Sequence, residues 1–460
     1  MPELNFKKKV LCIGAGYVGG PTMTVIANHC PDYKIHVVDI SEERIGRWNS
    51  DNLPIFEPGL EERVFKVRGK NLFFSTDIEG GIEEADIIFV AVNTPTKTFG
   101  EGIGRAADLQ FIEQTARKIR EASKSNKIVI EKSTIPVRAA ETLGKILHSG
   151  KGGPRFEILS NPEFMAEGTG IQDMESPDRI LIGSMETPEG QAARDELIKI
   201  YEHWVPRERI ITTNLWSSEL SKLVANAFLA QRITSINSIS AVCEMTEADV
   251  SQVSDAVGRD SRVGPKFLKA GVGFGGSCFR KDILNLVYLC EHYGLDEIGQ
   301  FWNYVVKLND FQMDRFVKRI LKAMFNTLVD KKIAIFGFAF KPDTGDTRDA
   351  PAIFICKRLL EERAHLAITD PHAIENAKLD MEGCNNIEFM EDPYKAAEGA
   401  HAIALLTEWK EFRDLDFQRL FDSMEKPAYL FDGRNHLDHD KLFDIGFNVY
   451  SVGKPDRDHF

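Results

Sequence analysis

Residues 9–39 constrain the fold of this chain more tightly than any other stretch. A short apolar run from Lys9 to Ile13 opens into Gly14-Ala15-Gly16-Tyr17-Val18-Gly19-Gly20, and a helical pattern follows from Thr22 to Asn28. A second strand-like run, Ile35-His36-Val37-Val38, ends in Asp39, twenty residues after Gly19. Glycine at 14 permits a tight turn, at 16 lets a pyrophosphate reach the backbone, and at 19 lets the helix pack on the sheet. A carboxylate at the end of the second strand binds the adenosine ribose hydroxyls. The spacing predicts a strand–helix–strand unit holding a dinucleotide, with Tyr17 and Val18 in the phosphate turn. Asp39 would repel a 2′-phosphate, so NAD is expected over NADP, and Arg44 argues the other way.

The pattern continues. Residues 85–92 form a continuous apolar run, as does the start of 127–134, and both read as buried parallel strands. At their carboxyl ends, where open α/β sheets bind ligands, stand Thr94, Ser133 and Thr134. Thr134 is a candidate for the nicotinamide end of the cofactor; the Thr94 region is equally well ordinary turn chemistry. A third strand-like run leads to Asn161-Pro162-Glu163-Phe164-Met165-Ala166-Glu167. Its two carboxylates, four residues apart, are either solvated loop charges or part of a cleft. The apolar residues between them favour the cleft.

From Trp216 to about Met245 there is no proline or glycine, and apolar residues recur at helical spacing, which predicts one long helix. Lys222 and Asn226 share a face of it, a cation and an amide suited to developing oxyanion charge. Its remaining apolar faces suit a second copy of the helix. Farther on, Gly271 to Lys281 crowds glycines ahead of a single cysteine, Cys278, and another helical pattern follows. A thiol at a helix N-terminus is favoured as thiolate, and Arg280 and Lys281 are expected to act in the same sense. With the helix starting near Ser277, Asp282 falls one turn beyond Cys278. Thiolate and carboxylate together suit formation and hydrolysis of an acyl-thioester. The competing reading makes Cys278 a small buried apolar residue at a turn. The basic residues Arg259, Arg262, Lys266 and Lys269 hold a phosphate or form a solvated face.

The C-terminal part echoes the first. Lys332-Ile333-Ala334-Ile335-Phe336-Gly337 and His365-Leu366-Ala367-Ile368-Thr369-Asp370 repeat the two-strand pattern, but the turn reads Gly337-Phe338-Ala339-Phe340-Lys341. Bulky residues there would block a pyrophosphate, so no second NAD is expected. Lys341, Arg348 and Arg434 suit an anionic ligand instead.

At 460 residues the chain exceeds one core. Its net charge of −13 argues against nucleic acid or an anionic membrane as partner. No apolar window reaches a membrane-spanning length; seven cysteines without paired short spacing or a histidine cluster exclude neither metal nor disulfide but fit reduced thiols in the cytoplasm, and no metal is expected.

With the further motifs Glu131-Lys132-Ser133-Thr134, Ser217-Ser218-Glu219-Leu220-Ser221-Lys222 and Phe431-Asp432-Gly433-Arg434, the chain resembles the UDP-glucose/GDP-mannose dehydrogenase family. Within that family it is most similar to the animal members acting on UDP-glucose. The resemblance implies an α/β fold: two Rossmann-like doubly wound parallel-sheet domains joined by a long central helix. It places an NAD-binding domain at 1–214, a central helical dimerisation domain with the cysteine loop at 215–328, and a UDP-sugar-binding domain at 329–460. It also implies four-electron, NAD-dependent oxidation of UDP-glucose by a homodimer or higher oligomer, commonly a hexamer.

Residue by residue, Cys278 resembles the nucleophile, Lys222 and Asn226 the oxyanion-stabilising pair, and Glu163 and Asp282 the acid/base and water-positioning carboxylates, with Thr134 at the reacting end. Which group takes the first alcohol proton stays open. Gly14, Gly16, Tyr17, Val18, Gly19, Asp39, Arg44, Thr94, Ser133, Thr134, Glu167 and Arg348 resemble cofactor contacts. Glu163, Phe164, Met165, Lys222, Asn226, Phe267, Leu268, Lys269, Phe274, Gly275, Phe340, Lys341 and Arg434 resemble substrate contacts, with Arg262 offered by the adjacent subunit. Arg280 stands where the family pattern leads one to expect glutamine. Dehydrogenases of UDP-N-acetylmannosamine or GDP-mannose share this layout. A 3-hydroxyacid dehydrogenase needs no cysteine loop, and a non-catalytic NAD-sensing scaffold needs none of these side chains.

Overall fold

Alternation of apolar runs with helical segments builds two open sheets. The computed structural model describes residues 6–150 and 152–459, which divide into two compact units, Met1–Ala225 and Asn226–Phe460. The first unit holds strands β1 (Lys8–Ile13), β2 (Tyr33–Val38), β3 (Leu72–Ser75), β4 (Ile87–Val90), β5 (Lys127–Glu131), β6 (Phe156–Ser160), β7 (Ile180–Ser184) and β8 (Ile210–Asn214). They lie in the order β3-β2-β1-β4-β5-β6-β7-β8, parallel except where β6 meets β7. All four residues of β4 are buried, as a strand covered on both faces requires. The runs at 85–92 and 127–134 therefore form strands shorter than the apolar pattern, and Thr94, Ser133 and Thr134 lie in the loops beyond them. The first helix starts earlier than its apolar pattern, spanning Gly19–His29.

The second unit holds β9 (Lys332–Phe336), β10 (His365–Thr369), β11 (Ile387–Phe389), β12 (Ala402–Leu405), β13 (Tyr429–Asp432) and β14 (Asn448–Ser451). Its order, β11-β10-β9-β12-β13-β14, repeats that of the first six strands. The glycine turn is repeated as well. Gly14 N–H donates to Val38 at 2.8 Å, and Gly337 N–H to Thr369 at 2.8 Å. In the second copy Asp370 accepts from Phe338 N at 2.7 Å, Ala339 N at 3.0 Å and Trp409 Nε1 at 3.0 Å. The amides at this turn are thus satisfied within the protein.

The long helix spans Leu215–Thr246. Near its start, Glu219 accepts the backbone N–H of Arg138 at 2.7 Å and of Ala140 at 2.8 Å, anchoring the loop that carries Thr134. In the second unit the helices Phe279–His292 and Asp296–Ala323 complete the core. Val272, Met313, Phe316, Val317 and Ile320 pack with Ile333, Ile335 and Phe431 of the sheet. Among the described residues no helix is long and apolar enough to cross a membrane.

Candidate active site

The glycine turn after β1 lies where strand order reverses, between β2 and β4. Gly14 has φ +111°, and a Cβ there would lie 2.4 Å from the Ala91 carbonyl oxygen. A Cβ on Gly19 would lie 2.0 Å from the Gly14 oxygen, so the helix can close on the strand only at glycine. Gly16 is different: nothing stands within 4 Å of a Cβ built there, so it faces open space. Val18 occupies the N-cap without a side-chain cap bond, and its turn presents amides suited to phosphate. Asp39 is buried; its Oδ2 accepts from Ala15 N at 2.9 Å and Arg44 Nη1 at 3.0 Å, and its Oδ1 from Ser41 N at 3.0 Å. Arg44 is therefore directed to Asp39. These residues fit an NAD molecule.

Thr94 donates to the Thr134 carbonyl at 2.9 Å, and Ser133 to the Val92 carbonyl at 2.7 Å. Both hydroxyls lock the loops beyond β4 and β5 to each other. Opposite the phosphate turn stands a residue that sequence patterning missed. Glu57 is buried and accepts the Tyr17 hydroxyl, Gly168 N at 2.9 Å and Gly170 N at 2.6 Å. Burial, then Glu57 and Glu167, push the Tyr17 phenol well above its ordinary range. One carboxylate thus fastens the turn to the loop that carries Glu163, Phe164, Met165 and Glu167.

Glu163 accepts from Phe164 N at 2.9 Å and Met165 N at 3.3 Å, and pairs with Lys132 at 3.0 Å. Burial opposes its ionisation, but Lys132, the Phe164 amide and Lys222 outweigh it and hold its carboxyl below the usual range. Lys132 is a second residue that patterning missed; its one signal is a charge placed directly after a buried strand. Two cations lie over the Phe164 ring, Arg179 at 3.8 Å and Lys222 at 5.2 Å from its centroid.

In the second unit Cys278 is exposed, while five other cysteines are buried and Cys384 is half-buried. The reading of Cys278 as a buried apolar residue fails on that placement. Burial pushes the Cys12 and Cys30 thiols up to about 12, out of reach of reaction. The helix begins at Phe279 rather than near Ser277, with Cys278 at its N-cap. Asp282 N–H donates to the Cys278 carbonyl at 2.9 Å. Asp282 itself is buried and accepts Asn226 Nδ2 at 2.6 Å, with Lys281 at 3.7 Å. Arg280 departs from expectation: it forms a two-pronged pair with Asp310 at 2.7 and 3.0 Å. Its charge is directed there and not to the thiol.

The loop ahead of Cys278 is tightly held. Phe274 exchanges two hydrogen bonds with the Asn309 side chain, at 2.8 and 3.0 Å. A Cβ on Gly275 would lie 2.5 Å from the Asp349 carbonyl oxygen, and Gly276, at φ +86°, sits against the Phe340 ring. Arg348 belongs to this unit, pairing with Asp346 while its carbonyl accepts Gly276 N at 2.9 Å. The Arg434 guanidinium reaches the carbonyls of Leu406, Gly273 and Phe340 at 2.7, 3.2 and 3.2 Å, and pairs with Glu408. It clamps the cysteine loop to the end of the second sheet. Lys341 lies over the Phe340 ring. Leu268 is buried, whereas Phe267 (at φ +61°) and Lys269 are exposed. Arg259 and Arg262 are exposed and pair with Asp255 and Asp260.

Three family models match along the chain. Each is described as belonging to the UDP-glucose/GDP-mannose dehydrogenase family: its NAD binding domain at residues 8–205, its central domain at 216–311 and its UDP binding domain at 334–439. The chain belongs to this family. The NAD-binding match contains the glycine turn and Asp39, so this family member is an NAD-dependent dehydrogenase. It is 58% identical to UDP-glucose 6-dehydrogenase 2 of Oryza sativa subsp. japonica over 473 residues, 98% of each chain. It is 59% identical to UDP-glucose 6-dehydrogenase 3 of Arabidopsis thaliana over 466 residues, 97% of each. Among solved structures, a UDP-glucose dehydrogenase from the hyperthermophilic archaeon Pyrobaculum islandicum matches with TM-score 0.85 and 27% identity, covering 98% of this chain and 99% of that one.

Proposed function

We propose that this family member oxidises UDP-glucose at C6 to UDP-glucuronate, using two NAD per sugar and a covalent intermediate on Cys278. The observation that carries the covalent route is an exposed thiol at a helix N-cap, one turn from the buried Asp282–Asn226 pair. Bound NAD supplies an acceptor for two electrons and a proton from the sugar carbon in each oxidation. The chain does the rest. The Cys278 thiolate adds to the C6 aldehyde, and Lys222 and Asn226 stabilise the oxyanion of the thiohemiacetal. After the second oxidation a thioester remains, and water held by Glu163 and Asp282 breaks its carbon–sulfur bond, returning the thiol and releasing the carboxylate. Gly14, Gly16, Gly19 and Asp39 hold the cofactor.

The enzyme is a homodimer or higher assembly, its contact made by apolar side chains that the long helix leaves exposed: Phe228, Ile239, Val242 and Met245. It works in the cytoplasm, where its free thiols stay reduced.

The deciding assay measures reduced cofactor formed on adding UDP-glucose, GDP-mannose, UDP-N-acetylmannosamine or a 3-hydroxyacid. Two equivalents per UDP-glucuronate, with UDP-glucose preferred, are expected. One equivalent with free aldehyde, or preference for another substrate, would refute the reading. A second expectation concerns the cofactor. Because a like-charge contact between Asp39 and a 2′-phosphate costs several kcal/mol, kcat/KM should favour NAD over NADP by at least about a hundredfold. Comparable values would remove Asp39 from the ribose site.

A further inference from the structure

We propose that Lys132 is a positioning residue for this reaction: a buried ammonium that fixes Glu163 as an oriented, ionised carboxylate unable to donate a proton. The inference rests on the reading above that Glu163 serves the chemistry.

The ammonium has three N–H bonds and finds three acceptors. Its Nζ lies 3.0 Å from Glu163 Oε2, 3.1 Å from Asn161 Oδ1 and 3.4 Å from the Tyr201 hydroxyl, with the side chain 2% exposed. The acceptors are themselves held in place. Asn161, directly after β6, receives the Tyr201 hydroxyl at 2.6 Å and donates to the Leu181 carbonyl at 2.8 Å. Tyr201 closes the helix Pro188–Tyr201. Glu163 has its other oxygen on the amides of Phe164 and Met165. Burial alone would strip a lysine of its proton; the pairing with Glu163 and Tyr201 outweighs it, and the ammonium stays charged.

Other charged or titratable groups also face Glu163. Lys222 approaches from the long helix, and Arg179 lies across the Phe164 ring. Asp173 and Tyr201 share a small cavity with it. Lys132 pairs directly with the carboxylate at 3.0 Å, its own side chain shielded from water. The arrangement suits a carboxylate that holds a water or accepts a proton. A general acid needs the opposite environment, one that retains the proton.

The test compares Lys132→Met, and Lys132→Gln should the methionine variant not fold, with Lys132→Arg and Glu163→Gln in the full-length enzyme. In the neutral Lys132 variants kcat should fall roughly tenfold or more, as expected when a group in proton chemistry is misplaced. The acid limb of the pH–rate profile should move up by about 1–3 pH units, the amount by which an adjacent cation depresses a carboxyl. Lys132→Arg should return the limb toward the parent position. A folded neutral variant whose acid limb does not move, even with reduced kcat, would make Lys132 a structural ion-pair partner and overturn the proposal. Parent-like kcat in Glu163→Gln would instead overturn the role of Glu163 itself.

Discussion

In Cys278→Ala, formation of UDP-glucuronate is expected to fall by several orders of magnitude. An aldehyde carbon offers nothing to oxidise further until a nucleophile adds to it, and the other cysteines are buried or half-buried. Without the thiolate no thiohemiacetal forms, so the second oxidation and the thioester are both closed. Cys278→Ser gives a sharper reading. An ester to serine hydrolyses more slowly than a thioester, so intact mass should show the protein heavier by one oxidised sugar nucleotide. Acid production near the parent rate in Cys278→Ala would make the glycine loop a structural turn and end the covalent mechanism.

The largest expected effect on stability belongs to Asp432. This carboxylate is fully buried and accepts the amides of Arg434 at 2.9 Å, His436 at 2.8 Å and Leu437 at 2.9 Å, with His439 Nε2 at 2.9 Å. Asp432→Ala leaves these donors without an acceptor and should destabilise the second unit by about 3–5 kcal/mol in denaturant unfolding. Burial opposes ionisation of Asp432, but His439 and the amides outweigh it, so its folded carboxyl lies below the ordinary range. For a depressed acid the stabilisation is present above the unfolded value, near ~3.9, and is lost as pH falls through the folded one. Asp432→Asn should therefore flatten stability against pH below about 4. An unchanged acid arm would show that Asp432 carries none of it.

The cofactor turn was legible in the sequence because its signals are local. Gly14, Gly16, Gly19 and Asp39 lie within one strand–helix–strand, and backbone geometry dictates their spacing. The long helix was legible for the same reason, since nothing between its ends breaks it. Glu57 was not. Its meaning lies in Gly168, 111 residues away, and no spacing rule connects a lone glutamate to an amide at that distance. Lys132 reads as a strand-end charge until folding brings Asn161 to it across 29 residues. Arg280 misled for a related reason. Proximity along the chain suggested a partner in Cys278, whereas Asp310, 30 residues on, offers a two-pronged ion pair that a thiol cannot match.

The arrangement of the second sheet bears on how the chain is made. The first unit is contiguous, and its last strand, β8, leaves the ribosome before any residue of the second is needed. The second unit begins with helices whose apolar sides, among them Ile236, Phe316 and Val317, belong to a core completed only by Tyr429 and Tyr450. At typical elongation rates the interval from Ile236 to Tyr450 lasts about 10–40 s. Throughout that time greasy helical surface stands uncovered on the nascent chain. Chaperone dependence during translation should therefore concentrate on the C-terminal half, and shortages of folding assistance should yield aggregates in which the cofactor domain is already native.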